Sequence, residues 1–346
     1  MTLPAAAQTL MYSEARESAE RIADQLAANA VIVSRLAQEL RNNPPRFVVT
    51  SARGSSDHAA TFAKYVFETQ LGYATSSASP SVSSVYAAPQ KLDGALYLAI
   101  SQSGKSPDLL RQAHAAHAAG ARVVAMVNAP DSPLAEIADT LIPLRAGAEN
   151  SVAATKSYLC SLSAIVHIAA KWKGDDDLLA ALSGVPAAIA RSWDLDWSPL
   201  VDGLAGARNL FVVARGLGLA AAQEAALKLK ETAGLHAEAF SAAEVKHGPM
   251  ALVDTGFPVL FFTQGDDTTD GTLAVADEFR QRGANVWIAS ATDAGAGTLP
   301  VAPIGHPVCA PLVTIASFYR AANALALRRG RNPDVPPHLR KVTETV

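Results

Sequence analysis

Part of this sequence occurs twice. Val49-Thr50-Ser51-Ala52-Arg53-Gly54 returns in character as Phe211-Val212-Val213-Ala214-Arg215-Gly216, an offset of 162 residues, and both stretches end in Ala-Arg-Gly. Leu98-Ala99-Ile100-Ser101-Gln102 returns as Leu260-Phe261-Phe262-Thr263-Gln264 at the same offset of 162. Gly120-Ala121-Arg122-Val123-Val124 returns as Gly283-Ala284-Asn285-Val286-Trp287 at 163. Three matches at nearly one spacing make the chain a tandem pair of α/β units. Apolar runs alternate with stretches of helical spacing in each copy. That order predicts parallel sheets, with ligands gathered at the carboxyl ends of the strands.

The first copy carries an anion cradle at two such ends. The apolar run Ala95–Ile100 reads as a buried strand, and Leu109, Leu110, Ala113 and Ala116 recur at helical spacing until Gly120. Between them stand Ser101, Gln102, Ser103, Gly104, Lys105 and Ser106. Ser106 suits the N-cap, Pro107 the first helical position, and Asp108 the first turn, where the helix dipole favours a negative charge. Hydroxyls and backbone N–H groups over a helix N-terminus are the donors a phosphate needs. Gly54-Ser55-Ser56 repeats the design after the strand Phe47–Thr50. An ordinary serine-capped turn is the competing reading of the same residues. In the second copy the hydroxyls give way to Gly265-Asp266-Asp267-Thr268, whose carboxylates repel phosphate, so only the first copy is expected to bind it.

In chain order, Ile22, Leu26, Ala30, Val33, Leu36 and Leu40 mark the apolar face of a helix from about Ser13 to Leu40, stopped at Asn42-Asn43-Pro44-Pro45. A short strand is expected between Thr75 and Ala88, further strands at Val123–Val127 and Thr140–Leu144, a short helix from Ser132-Pro133, a helix over Val152–Lys173, and linking helices over 175–208. The organisation expected is a helical segment over 1–45, a first domain over 46–185, a linker over 186–207, a second domain over 208–330 and a tail over 331–346. The chain has 346 residues, 18% charged, with a net charge of −3, which argues against nucleic acid as a partner. Cys160 and Cys309 lie in apolar segments without metal-ligand spacing, as suits a reducing cytoplasm. No apolar run reads as long enough to cross a membrane, and Met1-Thr2-Leu3-Pro4 lacks the regions of a signal peptide.

The paired turns Gly54-Ser55-Ser56 and Ser101-Gln102-Ser103-Gly104, in a duplicated α/β unit, resemble the sugar isomerase (SIS) family. Lys228-Leu229-Lys230-Glu231, His236-Ala237-Glu238-Ala239, Glu244-Val245-Lys246-His247-Gly248-Pro249 and Leu339-Arg340-Lys341-Val342 resemble, in the same order, the isomerase half of glucosamine-6-phosphate synthases. The resemblance runs from about Met11 to the end. It implies two tandem SIS domains of flavodoxin-like, three-layer α/β form, and a phosphorylated amino sugar or ketose as ligand. Aldose–ketose chemistry without metal or nucleotide follows from it too. The synthases also carry an amino-terminal glutaminase domain that opens on a nucleophilic cysteine. Here position 2 is Thr2 and the isomerase-like sequence begins almost at once. The expectation is therefore a deaminase that runs the reaction from glucosamine 6-phosphate. Lys105, after Gly104, also looks more like the deaminating group, since the synthases usually place an acidic residue there.

By the resemblance, Glu231 is the base of the C1–C2 proton shift, a task a carboxylate performs. His247 opens the ring and comes from the neighbouring subunit of a homodimer. Lys341 matches a Schiff-base lysine, and Lys228 offers electrostatic help. Glu149, Val152 and Ala153 belong to a loop lining the sugar. Gly54, Ser55, Ser56, Ser101, Gln102, Ser103 and Ser106 hold the phosphate. From the residues alone, Glu231 reads first as a helix-face carboxylate paired with Lys228, and Lys341 as a solvated tail lysine. Pro333, Pro336 and Pro337 stiffen that tail into a strap that can lie across a site.

Three other classes fit less of the sequence. Gly216-Leu217-Gly218-Leu219-Ala220-Ala221 matches a dinucleotide fingerprint, but the acidic residue it needs, Glu238, stands in no strand pattern. A sugar-phosphate sensor would carry a basic recognition helix, which the first 45 residues lack. His236 and Glu238 begin a metal ligand set that nothing completes.

Overall fold

The computed structural model describes residues 4–341. Thr2 and Val342, both singled out in the sequence, lie outside them. Helices α1 (Leu10–Arg16) and α2 (Ser18–Asn42) open the chain, so the single helix expected from Ser13 is two, interrupted at Glu17. There follow β1 (Phe47–Ser51), α3 (Ser55–Val66), β2 (Thr75–Ser77), α4 (Pro80–Ser84), β3 (Ala95–Ser101), α5 (Pro107–Ala118), β4 (Arg122–Val127), α6 (Pro133–Ile137), β5 (Thr140–Pro143) and α7 (Lys156–Lys173). The helix expected from Val152 therefore starts four residues later, because 150–155 is loop.

Two helices, α8 (Asp176–Trp193) and α9 (Ser198–Leu204), then lead to β6 (Asn209–Ala214). The second series continues with α10 (Leu219–Lys228), β7 (His236–Ser241), β8 (Pro258–Phe262), α11 (Thr269–Gln281), β9 (Asn285–Ser290), β10 (Thr298–Pro300) and α12 (Ala310–Arg328).

The chain forms two compact units. The first comprises residues 20–149, 156–183 and 340–341, and its five parallel strands run in the order β2-β1-β3-β4-β5. Every residue of β3 is buried, as a central strand covered on both faces must be, which is why it reads as one apolar run. Tyr97 pairs with Val49 on one side and Val123 on the other, and these pack with Ala113 of α5 and Leu134 of α6.

The second unit comprises residues 4–19, 150–155 and 184–339, with strands in the equivalent order β10-β9-β8-β6-β7. Its core is aromatic where the first is alanine-rich: Phe211, Phe257, Phe261 and Phe279 pack with Val259 and Ile288. Contrary to the sequence expectation, one segment, Pro307–Arg328, is long and apolar enough to cross a membrane. Its apolar 18-residue window is 89% buried within the protein, as a core helix would be.

The duplication extends to a detail of backbone. In each unit the helix after the first strand ends in a π-helical turn, Phe67–Leu71 and Leu229–Ala233, closed by a left-handed glycine, Gly72 or Gly234. The offset is again 162 residues.

Candidate active site

In the first unit, β1 and β3 are neighbours, and each ends in a turn that feeds a helix. Gly54 caps α3 at φ 56°, ψ −132°, a conformation closed to most side chains. Ser55 and Ser56 follow it, half-buried, in the first helical turn. After β3, Ser101 Oγ accepts from the Gly104 N–H at 3.0 Å and Ser103 Oγ from the Lys105 N–H at 3.3 Å, which curls the turn. A Cβ on Gly104, at φ 63°, would fall 2.1 Å from Ser132 Oγ, so only glycine fits. Ser106 occupies the N-cap of α5 as expected, yet its side chain makes no capping bond. Gln102, Ser103 and Ser106 are half-buried and Lys105 is exposed.

The two turns are braced together. Arg53 places guanidinium nitrogens 2.8 and 2.9 Å from Asp108 Oδ2, and the Asp108 side chain is wholly buried. The turns thus hold a row of hydroxyls over a helix N-terminus whose first amides have no intrahelical partner.

The second unit fills the equivalent place with its own chain. Asp266 accepts from the Thr268 N–H at 3.0 Å, the Thr268 hydroxyl at 2.6 Å and Gln264 Nε2 at 3.0 Å. Gln264 Nε2 also donates to the Arg215 carbonyl at 2.7 Å, bridging the ends of β6 and β8. A carboxylate of the protein occupies the donors an anion would need. The dinucleotide fingerprint fails here as well: a Cβ on Gly218 would lie 2.6 Å from Gln264 Oε1, so side chain fills the crevice a pyrophosphate would enter. One ground given against it needs correcting, because Glu238 does lie in a strand, β7, mid-strand and exposed.

Two more groups of candidates take shape. In the first unit, Glu149 is buried and accepts from the Ser157 N–H at 3.1 Å and the Ser157 hydroxyl at 2.7 Å. Lys341 Nζ lies 3.1 Å from the same carboxylate, with the lysine side chain 25% exposed. It is paired, not a solvated tail lysine. In the second unit, Val152 and Ala153 belong to the 150–155 loop. That loop is held by Glu14 of α1, which accepts from the N–H groups of Asn150 at 2.5 Å and Ser151 at 3.1 Å.

Also in the second unit, Lys228 is 1% exposed, with Nζ 2.5 Å from Glu231 Oε2 and 3.5 Å from Glu224 Oε1. The Tyr319 hydroxyl donates to Glu224 at 3.2 Å. Glu231 keeps 19% of its side chain exposed. His247 stands exposed between two 3₁₀ turns, Glu244–Lys246 and Pro249–Leu252, and its ring makes no hydrogen bond or ion pair among the described residues.

Comparison of the copies shows what the fold itself requires at these positions. Glu224, Lys228 and Glu231 correspond, 162 residues earlier, to Phe62, Val66 and Thr69. Phe62 and Val66 are as buried as their charged counterparts. Apolar residues therefore serve the architecture there, and a buried ion pair carries a desolvation cost that packing does not ask for. Glu14 and Glu224 were not singled out in the sequence, although the spacing Glu224-x-x-x-Lys228 offered a signal for the second. Burial holds both thiols in the neutral form, Cys160 far up and Cys309 pushed up to about 12.

The SIS domain family model matches residues 43–171 and 203–299. The chain belongs to the SIS family. A glutamine–fructose-6-phosphate aminotransferase (isomerizing) of Thermococcus kodakarensis is 32% identical to this SIS protein over 348 residues, 96% of this chain and 57% of that one. The chain spans about half the length of the curated relatives it matches. A crystal structure from Silicibacter pomeroyi DSS-3, provisionally named a phosphosugar isomerase, is 42% identical with a TM-score of 0.89, over 94% of this chain and 100% of that one. The glucosamine-6-phosphate deaminase of Thermotoga maritima shares the fold, at 20% identity and TM-score 0.79 over 97% and 100%. The tandem α/β units expected from the repeat, and the SIS domains expected from the resemblance, are those the structure contains.

Proposed function

We propose that this SIS protein is an isomerising deaminase that converts glucosamine 6-phosphate to fructose 6-phosphate and ammonia. The observation that carries the reading is Glu231, partly exposed and fixed against a buried lysine whose place in the other copy is held by Val66. Ser55, Ser56, Ser101, Gln102, Ser103 and Ser106 hold the phosphate, and Lys105 adds a positive charge beside it. His247 opens the ring, and its exposure suits work on the sugar of a neighbouring subunit in a homodimer. Glu231 removes the proton from C2 of the open-chain aldose and returns it at C1, which leaves an imine at C2. Water adds to that imine and ammonia departs, giving the ketose. Lys228 fixes the carboxylate, and Glu149 orients Lys341.

A second reading is favoured by the 32% identity to an aminotransferase: the same proton shift run toward the amino sugar, with ammonia supplied by a glutaminase. One assay separates the two. The purified chain is given glucosamine 6-phosphate, and in parallel fructose 6-phosphate with glutamine or with ammonium. Ammonia release from the first, and no glutamine-dependent product from the second, supports the deaminase. Glutamine-dependent formation of glucosamine 6-phosphate overturns it and leaves the family assignment standing.

A further inference from the structure

The second unit contains a cavity of about 320 Å³ that the reading above does not use. It lies at the carboxyl ends of β8 and β9, beside the segment after β10 and the start of α12. By the switch-point rule a ligand would enter between β6 and β8, but Gln264 closes that crevice. The open space is one strand further along. Ligand sites occupy roughly 300–1,000 Å³, so this cavity takes a molecule of one ring rather than two.

Its lining is uncharged. Asp266 is near in sequence but is spent on Thr268 and Gln264. With no lysine or arginine in the wall, a phosphate dianion would be desolvated without a counter-charge. Thr269, Ser290, Thr292 and Thr314 bring hydroxyl-bearing side chains to the wall. Thr269 Oγ1 is buried with no hydrogen-bond partner, Thr314 of α12 is 2% exposed, and the Ser290 and Thr292 hydroxyls meet at 3.3 Å. Val301, Ala302 and Ile304 add apolar surface to the same wall. A pyranose has the matching character, hydroxyls around its edge and C–H groups on its face.

We propose that this cavity is a second ligand site, for a neutral polyhydroxylated ring the size of one hexose, and that it excludes sugar phosphates. The inference does not rest on the deaminase reading. Its test titrates the full chain with glucose and with glucose 6-phosphate, which share a ring and differ in charge. Saturation-transfer NMR gives the contact and calorimetry the affinity, with inorganic phosphate present to occupy the first unit's cradle. Glucose is expected to bind in the millimolar range, unaffected by phosphate and by Ser103→Ala. Thr314→Val and Ala302→Phe should each weaken it tenfold or more. Thr314→Val is close to isosteric and decides the matter if the bulkier variant does not fold by circular dichroism. Failure of glucose to bind, or loss of its signal on adding phosphate or in Ser103→Ala, overturns the proposal. So does glucose 6-phosphate binding that Thr314→Val weakens.

Discussion

A group that takes a proton from one carbon and returns it to the next must be reachable and held still. Glu231 meets both conditions, through its 19% exposure and its contact with Lys228. General-base catalysis contributes about 10²–10⁴-fold, so Glu231→Gln should lower turnover at least a hundredfold while the affinity for glucosamine 6-phosphate stays near that of the wild type. Retention of a tenth of the activity, a barrier rise of only about 1.4 kcal/mol, would remove Glu231 from the role. At the other end of the sugar, a hydrogen bond to a charged group contributes about 1.5–3 kcal/mol. Ser103→Ala should therefore raise KM about tenfold and leave kcat within a factor of a few. Unchanged KM would show that the phosphate is held elsewhere.

At the scale of elements, the π-helical turn after α10 carries Glu231, and its counterpart after α3 carries Thr69. Wide turns of this kind recur at functional sites, but here the first copy has the turn without charged counterparts of Glu224, Lys228 and Glu231. Replacing Lys228 alone would leave the buried Glu224 without its lysine counter-charge, costing about 3–5 kcal/mol, whereas apolar replacement of both is often neutral. The double variant Glu224→Leu/Lys228→Met should accordingly melt near the wild type and be inactive. Full activity would make the pair a packing feature. Elements buried on both faces were legible in the sequence because they are continuous apolar runs, as in β3 and β8. Strand β7 was not, since the edge strand His236–Ser241 exposes His236 and Glu238 and so breaks the run. Asn150, Ser151 and Tyr319 pair with Glu14 and Glu224 across 136, 137 and 95 residues, and no local pattern records such partners.

For the whole molecule, His167 of α7 sets a limit on acid stability. Burial, with the charge of Lys171, lowers its pKa from 6.5 to about 4. Between those values the unfolded chain binds a proton that the folded chain refuses, so stability rises with pH across the window and falls as the solution is acidified. The full shift corresponds to about 3 kcal/mol. The melting temperature should drop between pH 7 and pH 4, and His167→Gln should flatten part of that slope. A variant with the wild-type pH dependence would assign the loss to other groups.

The turn at Phe67–Leu71 has a consequence of another kind. Its backbone geometry is already that of the turn bearing Glu231, and its neighbours Phe62 and Val66 occupy the sites of Glu224 and Lys228. The protein thus contains a blank casting of the segment proposed to react. On the proposed reading, an inert copy and a proton-carrying copy differ at this segment by three side chains and no change of frame.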